Sequence, residues 1–382
     1  MKIDINSIPL AIYVHIPWCI EKCPYCDFNS HKLREDSLPE EEYIARVAEN
    51  LSEYAPLVKG RKVSSIFFGG GTPSIMSPDG IDKILNTINK HYKLEQDTEI
   101  TCEANPGTFD QKKFEGFFKI GINRLSVGVQ SFNDDMLQKL GRIHDSQTAK
   151  KAIKLAQDVG FTNINLDLMY GLPGQTAIES SQDLLQALEF NTKHLSWYQL
   201  TLEPNTLFYK KPPKLPESEI IHDIENAGHK LLRANGMQQY EISAWAKSYQ
   251  DKCKHNYNIW QFGDYIGVGA GAAGKITLAN NIIRTMQTKH PKQFINGQMK
   301  INDKIVAQQD IAFEFMLNHL RLKEPLYFAL MENRTGITLA DIAPVLDNLP
   351  PHSVIYDNNK LELTAFGFNF YNDIVAAFML DQ

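Results

Sequence analysis

The chain is poor in cysteine, with five in 382 residues. An odd number, three of them within the stretch 19–26, makes a poor disulfide framework and a better metal loop. No apolar run approaches the ~20 residues that span a bilayer. The N-terminal stretch has neither the long apolar core nor the small-residue cleavage site of a signal peptide, so a cytoplasmic location is expected. Positive charge is not in excess either. Lys and Arg number 39 against 45 Asp and Glu, a net charge of -6, which argues against bulk nucleic-acid binding. Internal repeats and low-complexity tracts are absent. Apolar residues, by contrast, make up 43% of the chain. That is enough for a full core and excludes wholesale disorder. The length suits one large α/β domain with a smaller one.

The cysteines are the first positive signal. Cys19, Cys23 and Cys26 are spaced C-x3-C-x2-C directly after an apolar run, Leu10 to Ile16. Three thiolates on one loop suit a metal cluster, but a [4Fe-4S] cluster wants four ligands. A structural zinc site completed by His15, His31 or Cys253 is the alternative at this point.

Strand-like runs recur at 10–16, 63–68, 99–103, 124–129, 163–169 and 194–200. Helical patterns follow at 39–54, 78–92, 110–120, 145–159, 176–190 and 217–235. Six strand–helix units in series predict parallel strands with right-handed crossovers. A doubly wound sheet and an incomplete TIM-like barrel both fit that count. Strand parity favours the barrel. Side chains alternate between faces, and one face of several strands is polar: Tyr13 and His15; Glu99, Thr101 and Glu103; Arg124, Ser126 and Gln130; Asn163, Asn165 and Asp167. Buried parallel strands normally read as near-continuous apolar runs. A polar-lined cavity inside an incomplete (βα)6 barrel is therefore expected. Cys102 falls on the apolar parity and is expected in the core. Beyond about residue 240 the alternation fades. The predicted division is a barrel over 1–240, a connecting segment over 241–299 and a smaller α+β unit over 300–382. Asp310–Leu322 has helical spacing, and short helices and strands are expected around 336–339 and 361–364.

The cysteine loop, the glycine run Gly69–Gly71 with Thr72, and the residues Glu103, Gln130 and Asp167 all follow strands or end them. In α/β folds that C-terminal edge carries the site. They should converge on one rim. The glycine run lacks the Gly-Lys-Ser/Thr ending of a P-loop, so a nucleoside triphosphate is disfavoured.

With this cysteine loop, a glycine triplet after the second strand and six βα units, the chain resembles the radical S-adenosylmethionine (SAM) superfamily. Further motifs narrow the resemblance to the HemN/HemW branch: Tyr13-Val-His-Ile-Pro-Trp-Cys19, Gly69-Gly-Gly-Thr-Pro73, Gly128-Val-Gln-Ser-Phe132, Gly141-Arg-Ile143 and Asp167-Leu-Met-Tyr-Gly-Leu-Pro173. The resemblance implies that Cys19, Cys23 and Cys26 hold three irons of a [4Fe-4S] cluster. SAM would chelate the fourth iron and be cleaved by electron transfer to a 5′-deoxyadenosyl radical. Tyr13, Tyr25, Gly70, Gly71, Thr72, Glu103, Gln130, Arg142 and Asp167 are the expected SAM-binding set. Glycine amides could approach SAM closely, carboxylates and amide could bond its hydroxyls or ammonium, and Arg142 could fork its carboxylate.

Three positions bear on the choice within the branch. The oxygen-independent coproporphyrinogen III oxidases carry a further cysteine two places after the third, where this chain has Phe28. They also have a longer segment before the first strand. The run His255-Asn-Tyr-Asn-Ile-Trp260 resembles the HNxxYW signature tied to haem handling, with Ile259 in the tyrosine place. The resemblance thus implies a haem-carrying chaperone, with His255 as a haem contact. Its partners would be haem and haem-accepting proteins, acceptors of the respiratory chain among them, and peripheral membrane contact is left open. Turnover would be slight or nil. The alternative is a radical enzyme that oxidatively decarboxylates coproporphyrinogen III.

Overall fold

The structure is a computed structural model that describes residues 3–33, 38–108, 110–298 and 300–379. The last three positions of the predicted 300–382 unit lie outside the described residues. The six predicted strands are present as β1 (Leu10–Ile16), β2 (Lys62–Gly70), β3 (Lys93–Ala104), β4 (Arg124–Gln130), β5 (Ile164–Tyr170) and β6 (His194–Gln199). Each pairs in parallel with the next, in chain order. A doubly wound sheet would reverse its strand order part-way. The monotonic order here is that of an incomplete barrel, as parity predicted.

Neither edge of this run is left open. Beyond β6 lie two short antiparallel strands, β7 (Gln238–Gln239) and β8 (Ala244–Ala246). Against the free edge of β1 lies β9 (Asp264–Val268), also parallel, followed by the antiparallel β10 (Ala273–Thr277), β11 (Ile282–Gln287) and β12 (Lys300–Ile305). The sequence between 241 and 299 thus supplies sheet as well as connection. Its glycines hid that from the pattern. Gly267 and Gly274 interrupt the strands because a Cβ at either would lie 2.0 or 2.6 Å from a neighbouring atom of the sheet.

The helices pack their apolar stripes on the outer face of the sheet. Tyr43, Val47 and Leu51 of helix Glu40–Tyr54 are fully buried, as are Ile81 and Ile88 of Pro78–His91. Side-chain caps start several helices: Ser77, Asp110, Asp145 and Thr176 each accept from a backbone N–H of the first turn. Cys102 is fully buried in this apolar core, as its parity required. The C-terminal unit has its own core of Phe315, Met316, Met331, Leu361 and Ile374. Helix Lys254–Trp260 joins it to the barrel. The Tyr257 hydroxyl donates to Glu324 at 2.7 Å, and the Arg321 guanidinium stacks on Trp260 at 4.5 Å.

Candidate functional site

The cysteine loop leaves β1 and is held at both ends. Trp18–Cys19 pairs in parallel with His31–Lys32. The glycine run locks the loop from below: the Gly71 amide donates to Ile16 O and the Thr72 amide to Trp18 O, both at 2.8 Å. Glycine is required at both positions. Gly70 has φ +116°, and a Cβ there would meet the His15 ring at 2.6 Å; a Cβ at Gly71 would meet Trp18 O at 2.5 Å. The Gly70 amide donates to Glu103 Oε2 at 3.1 Å. Both glycine amides bond the protein itself in this structure. What the glycines provide is a bare wall.

Above that wall is a cavity of about 300 Å³. It is lined by Cys19, Cys23, Cys26, Tyr25, Gly70, Gly71, Thr72, Glu103, Gln130, Arg142 and Asp167, which the sequence singled out. Ser126, Ser196, Tyr198 and Asn105 join them. Ser196 and Tyr198 lie on β6 in phase with His194, so the parity argument carried to that strand would have found them. Gln130 closes β4 in the left-handed region, φ 71°, at a register shift against β5. A non-glycine residue there is uncommon and clusters at functional sites. The twist turns the Gln130 amide so that its oxygen accepts from the Tyr198 hydroxyl at 2.7 Å.

Electrostatics follow from burial. Glu103 is pushed up to about 8, first by burial and then by the Asp167 charge; the Gly70 amide and Arg124 pull the other way. Asp167 is also raised by burial, against hydrogen bonds from Ser126, Asn165 and Ser196. Both carboxyls line the cavity, where a cationic ligand would favour their charged forms. Arg142 lines the same cavity. Burial works against its charge, but Tyr25 and Cys23 hold its pKa above the ordinary value. It donates to Gly128 O at 2.8 Å and approaches Cys23 Sγ at 3.6 Å. Cys26 Sγ lies 3.5 Å from Ser30 Oγ. Burial raises both Cys19 and Cys26.

All three thiols are free. Among the described residues, no group of three His, Cys, Asp or Glu is disposed to hold a metal ion. The candidate fourth zinc ligands are engaged elsewhere. The His15 ring is spanned by the Tyr13 hydroxyl at 3.0 Å and Asn29 O at 2.9 Å. Cys253 is fully buried beside Glu99, and His31 faces a different cavity. In donor chemistry, three free cysteine thiols on one loop are the ligand type that iron–sulfur clusters take.

Two expected residues are not on this cavity wall. Tyr13 is part-buried behind it, its ring stacked on Phe67 at 6.2 Å. His255 lies nearer the opposite end of the barrel and is 2% exposed. Its Nδ1 is 3.2 Å from Ser65 Oγ, its backbone N–H donates to Glu99, and its ring lies 5.0 Å from Phe67. Burial, then Arg124, lowers its pKa to about 3, so it is neutral. Phe28 is 60% exposed at the cavity lip.

The radical SAM superfamily matches residues 13–186. Heme chaperone HemW of Haemophilus influenzae is 44% identical over 98% of this chain and 99% of its own length. Heme chaperone HemW of Escherichia coli is 44% identical with the same coverage. The chain belongs to the HemN/HemW branch of the radical SAM superfamily. The branch extends to Heme chaperone HemW of Bacillus subtilis, 32% identical over 97% of the chain and 99% of that protein. The branch fold is shared too. Coproporphyrinogen III oxidase (HemN) from Escherichia coli, a radical SAM enzyme, superposes with a TM-score of 0.82 at 24% identity, covering 98% of this chain and 90% of that one. As expected for the branch, a TIM-like partial barrel carries a smaller C-terminal domain. Among the described residues no helix is long and apolar enough to cross a membrane.

Proposed function

We propose that this chain is a haem chaperone: it binds haem and passes it to acceptor proteins, with a [4Fe-4S] cluster and SAM as its own cofactors. The observation that carries the reading is the end-to-end similarity to proteins named as haem chaperones, 44% over 98% of the chain. Cys19, Cys23 and Cys26 would hold the cluster, and Arg142 beside Cys23 would balance thiolate charge. Glu103 and Asp167 would take the cationic end or the hydroxyls of SAM, and Ser126, Gln130 and Tyr198 would fix its orientation. When bound, the cluster supplies an electron that can cleave SAM. Thr72 flanks Cys19 and is buried on the wall. The work is expected in the cytoplasm, with respiratory-chain proteins among the acceptors.

A second reading, oxidation of coproporphyrinogen III, is favoured by the whole-chain fold shared with that oxidase and by an undamaged cofactor cavity. One paired experiment separates the two. The cluster is reconstituted anaerobically. Coproporphyrinogen turnover is then assayed with SAM and reductant, while haem is titrated in parallel. A saturable haem complex without porphyrinogen conversion is expected. Robust conversion, or no haem complex, overturns the chaperone reading.

A further inference from the structure

A second cavity lies behind the cysteine loop, and it is larger, about 810 Å³. That is within the range of cofactor pockets, and it exceeds the cluster cavity more than twofold. One wall is the His31–Lys32 strand with Trp18. The other is helix Pro291–Ile295, which His290 precedes. Apolar surface comes from Trp18, Leu33, Pro291 and Ile295, and positive charge from Lys22, Lys32 and Lys292 against one carboxylate, Glu42; Lys32 also pairs with Glu21. A flat apolar ligand with acidic substituents matches that lining.

Two imidazoles meet in this cavity. The His31 and His290 rings are 5.6 Å apart, edge to face at 61°. His31 Nε2 is buried and has no hydrogen-bond partner, while the ring also bonds the backbone of Lys289. A histidine whose one nitrogen is fixed by a backbone carbonyl can offer the other to a metal; His31 Nε2 is closed to solvent in this structure, so an approaching iron meets the exposed His290 ring first. His290 is exposed and makes no capping bond to the helix it precedes. The His255 ring, by contrast, is enclosed and bonded to Ser65.

We propose that haem binds in this second cavity, its iron taken by an imidazole of the His31–His290 pair. The proposal rests on the haem-chaperone reading and adds the place. It also couples cargo to cofactor. Trp18 pairs with His31 and Cys19 with Lys32, Lys22 lines both cavities, and Ser30, on this wall, touches Cys26. Haem seated there bears on the backbone that carries the cluster cysteines.

The test is a haem titration of the full-length, cluster-reconstituted protein, followed by absorption and by electron paramagnetic resonance. Wild type, His255→Ala, His290→Ala and the His31→Ala/His290→Ala double variant are compared. His290 is exposed, so its single variant should fold as wild type does. Iron content and thermal unfolding check the double variant. At least a tenfold rise in Kd for the double variant, loss of the histidine-ligated haem spectrum, a smaller rise for His290→Ala and an unchanged His255→Ala are expected. Wild-type haem binding that survives unchanged in both His290→Ala and the double variant overturns the site and leaves the chaperone reading standing. Absence of haem binding in wild type overturns the chaperone reading, and the site with it.

Discussion

The barrel has two polar interiors built by the same strands. At the C-terminal ends, Gly70, Glu103, Gln130 and Asp167 line an open cavity beside the cysteine loop. Toward the N-terminal ends, Ser65, Glu99, Arg124 and His194 are all 5% exposed or less. There Arg124 faces Glu99 at 3.8 Å, Cys253 and the His255 amide reach Glu99, and His194 bridges Asn165 and Tyr240. Helix Lys254–Trp260 contributes to this lower set and helps to close it. Parity requires polar residues in both places. Only at the rim does space accompany them. Polar residues on an inward face therefore identify an interior; an accessible site needs a cavity as well.

The contrast makes the rim a place where substitution removes function and the closed lower set, the plug, a place where it removes stability. Cys23→Ser is the most severe rim change. The brown iron–sulfur absorption after anaerobic reconstitution should vanish, and its persistence would break the ligand assignment. At the plug, Glu99→Ala leaves the buried Arg124 without its counter-charge and should destabilise the protein by about 3–5 kcal/mol in urea unfolding. A near-neutral result would mean that the plug is hydrated.

Glu103→Gln sharpens the rim side. It exchanges a charged hydrogen-bond acceptor for a neutral one, about 1.5–3 kcal/mol, or roughly ten- to a hundredfold in SAM affinity. The pH dependence has a definite sign. In the free protein Glu103 ionises at about 8, and a cationic ligand prefers the carboxylate. Wild-type SAM affinity should thus rise as pH climbs toward 8 and level off above it, more steeply than that of Glu103→Gln. The same raised pKa makes the ligand-free fold lose stability as pH rises from the unfolded value near ~4.3 to about 8. Equal pH slopes by calorimetry would remove Glu103 from the site. The smallest effect is expected at Ser65→Ala, which removes one hydrogen bond to His255, about 1 kcal/mol. Haem binding should be unchanged; weaker haem binding in this variant would move His255 from plug to site.

The strands and rim were legible because period-two alternation and C-terminal strand ends are local signals. Leu10–Ile16 and the ends of helices 40–54 and 146–159 fall within a residue of their expected bounds. The seventh parallel strand, Asp264–Val268, was not legible. Its register depends on a long-range pairing with β1, and Gly263 and Gly267 read as turn residues. His255 carried a motif whose local sequence says nothing of depth. The same limit hid the His31–His290 contact, since those residues lie far apart in the chain and meet only when helix Pro291–Ile295 packs near the cysteine loop.

Hydrogen–deuterium exchange of the reconstituted protein, with and without haem, tests the division between rim and plug most directly. Added protection is expected at residues 18–33 and 288–296, while 254–260 is protected beforehand and does not change. Haem-dependent protection centred on 254–260, with none around the cysteine loop, would contradict the account.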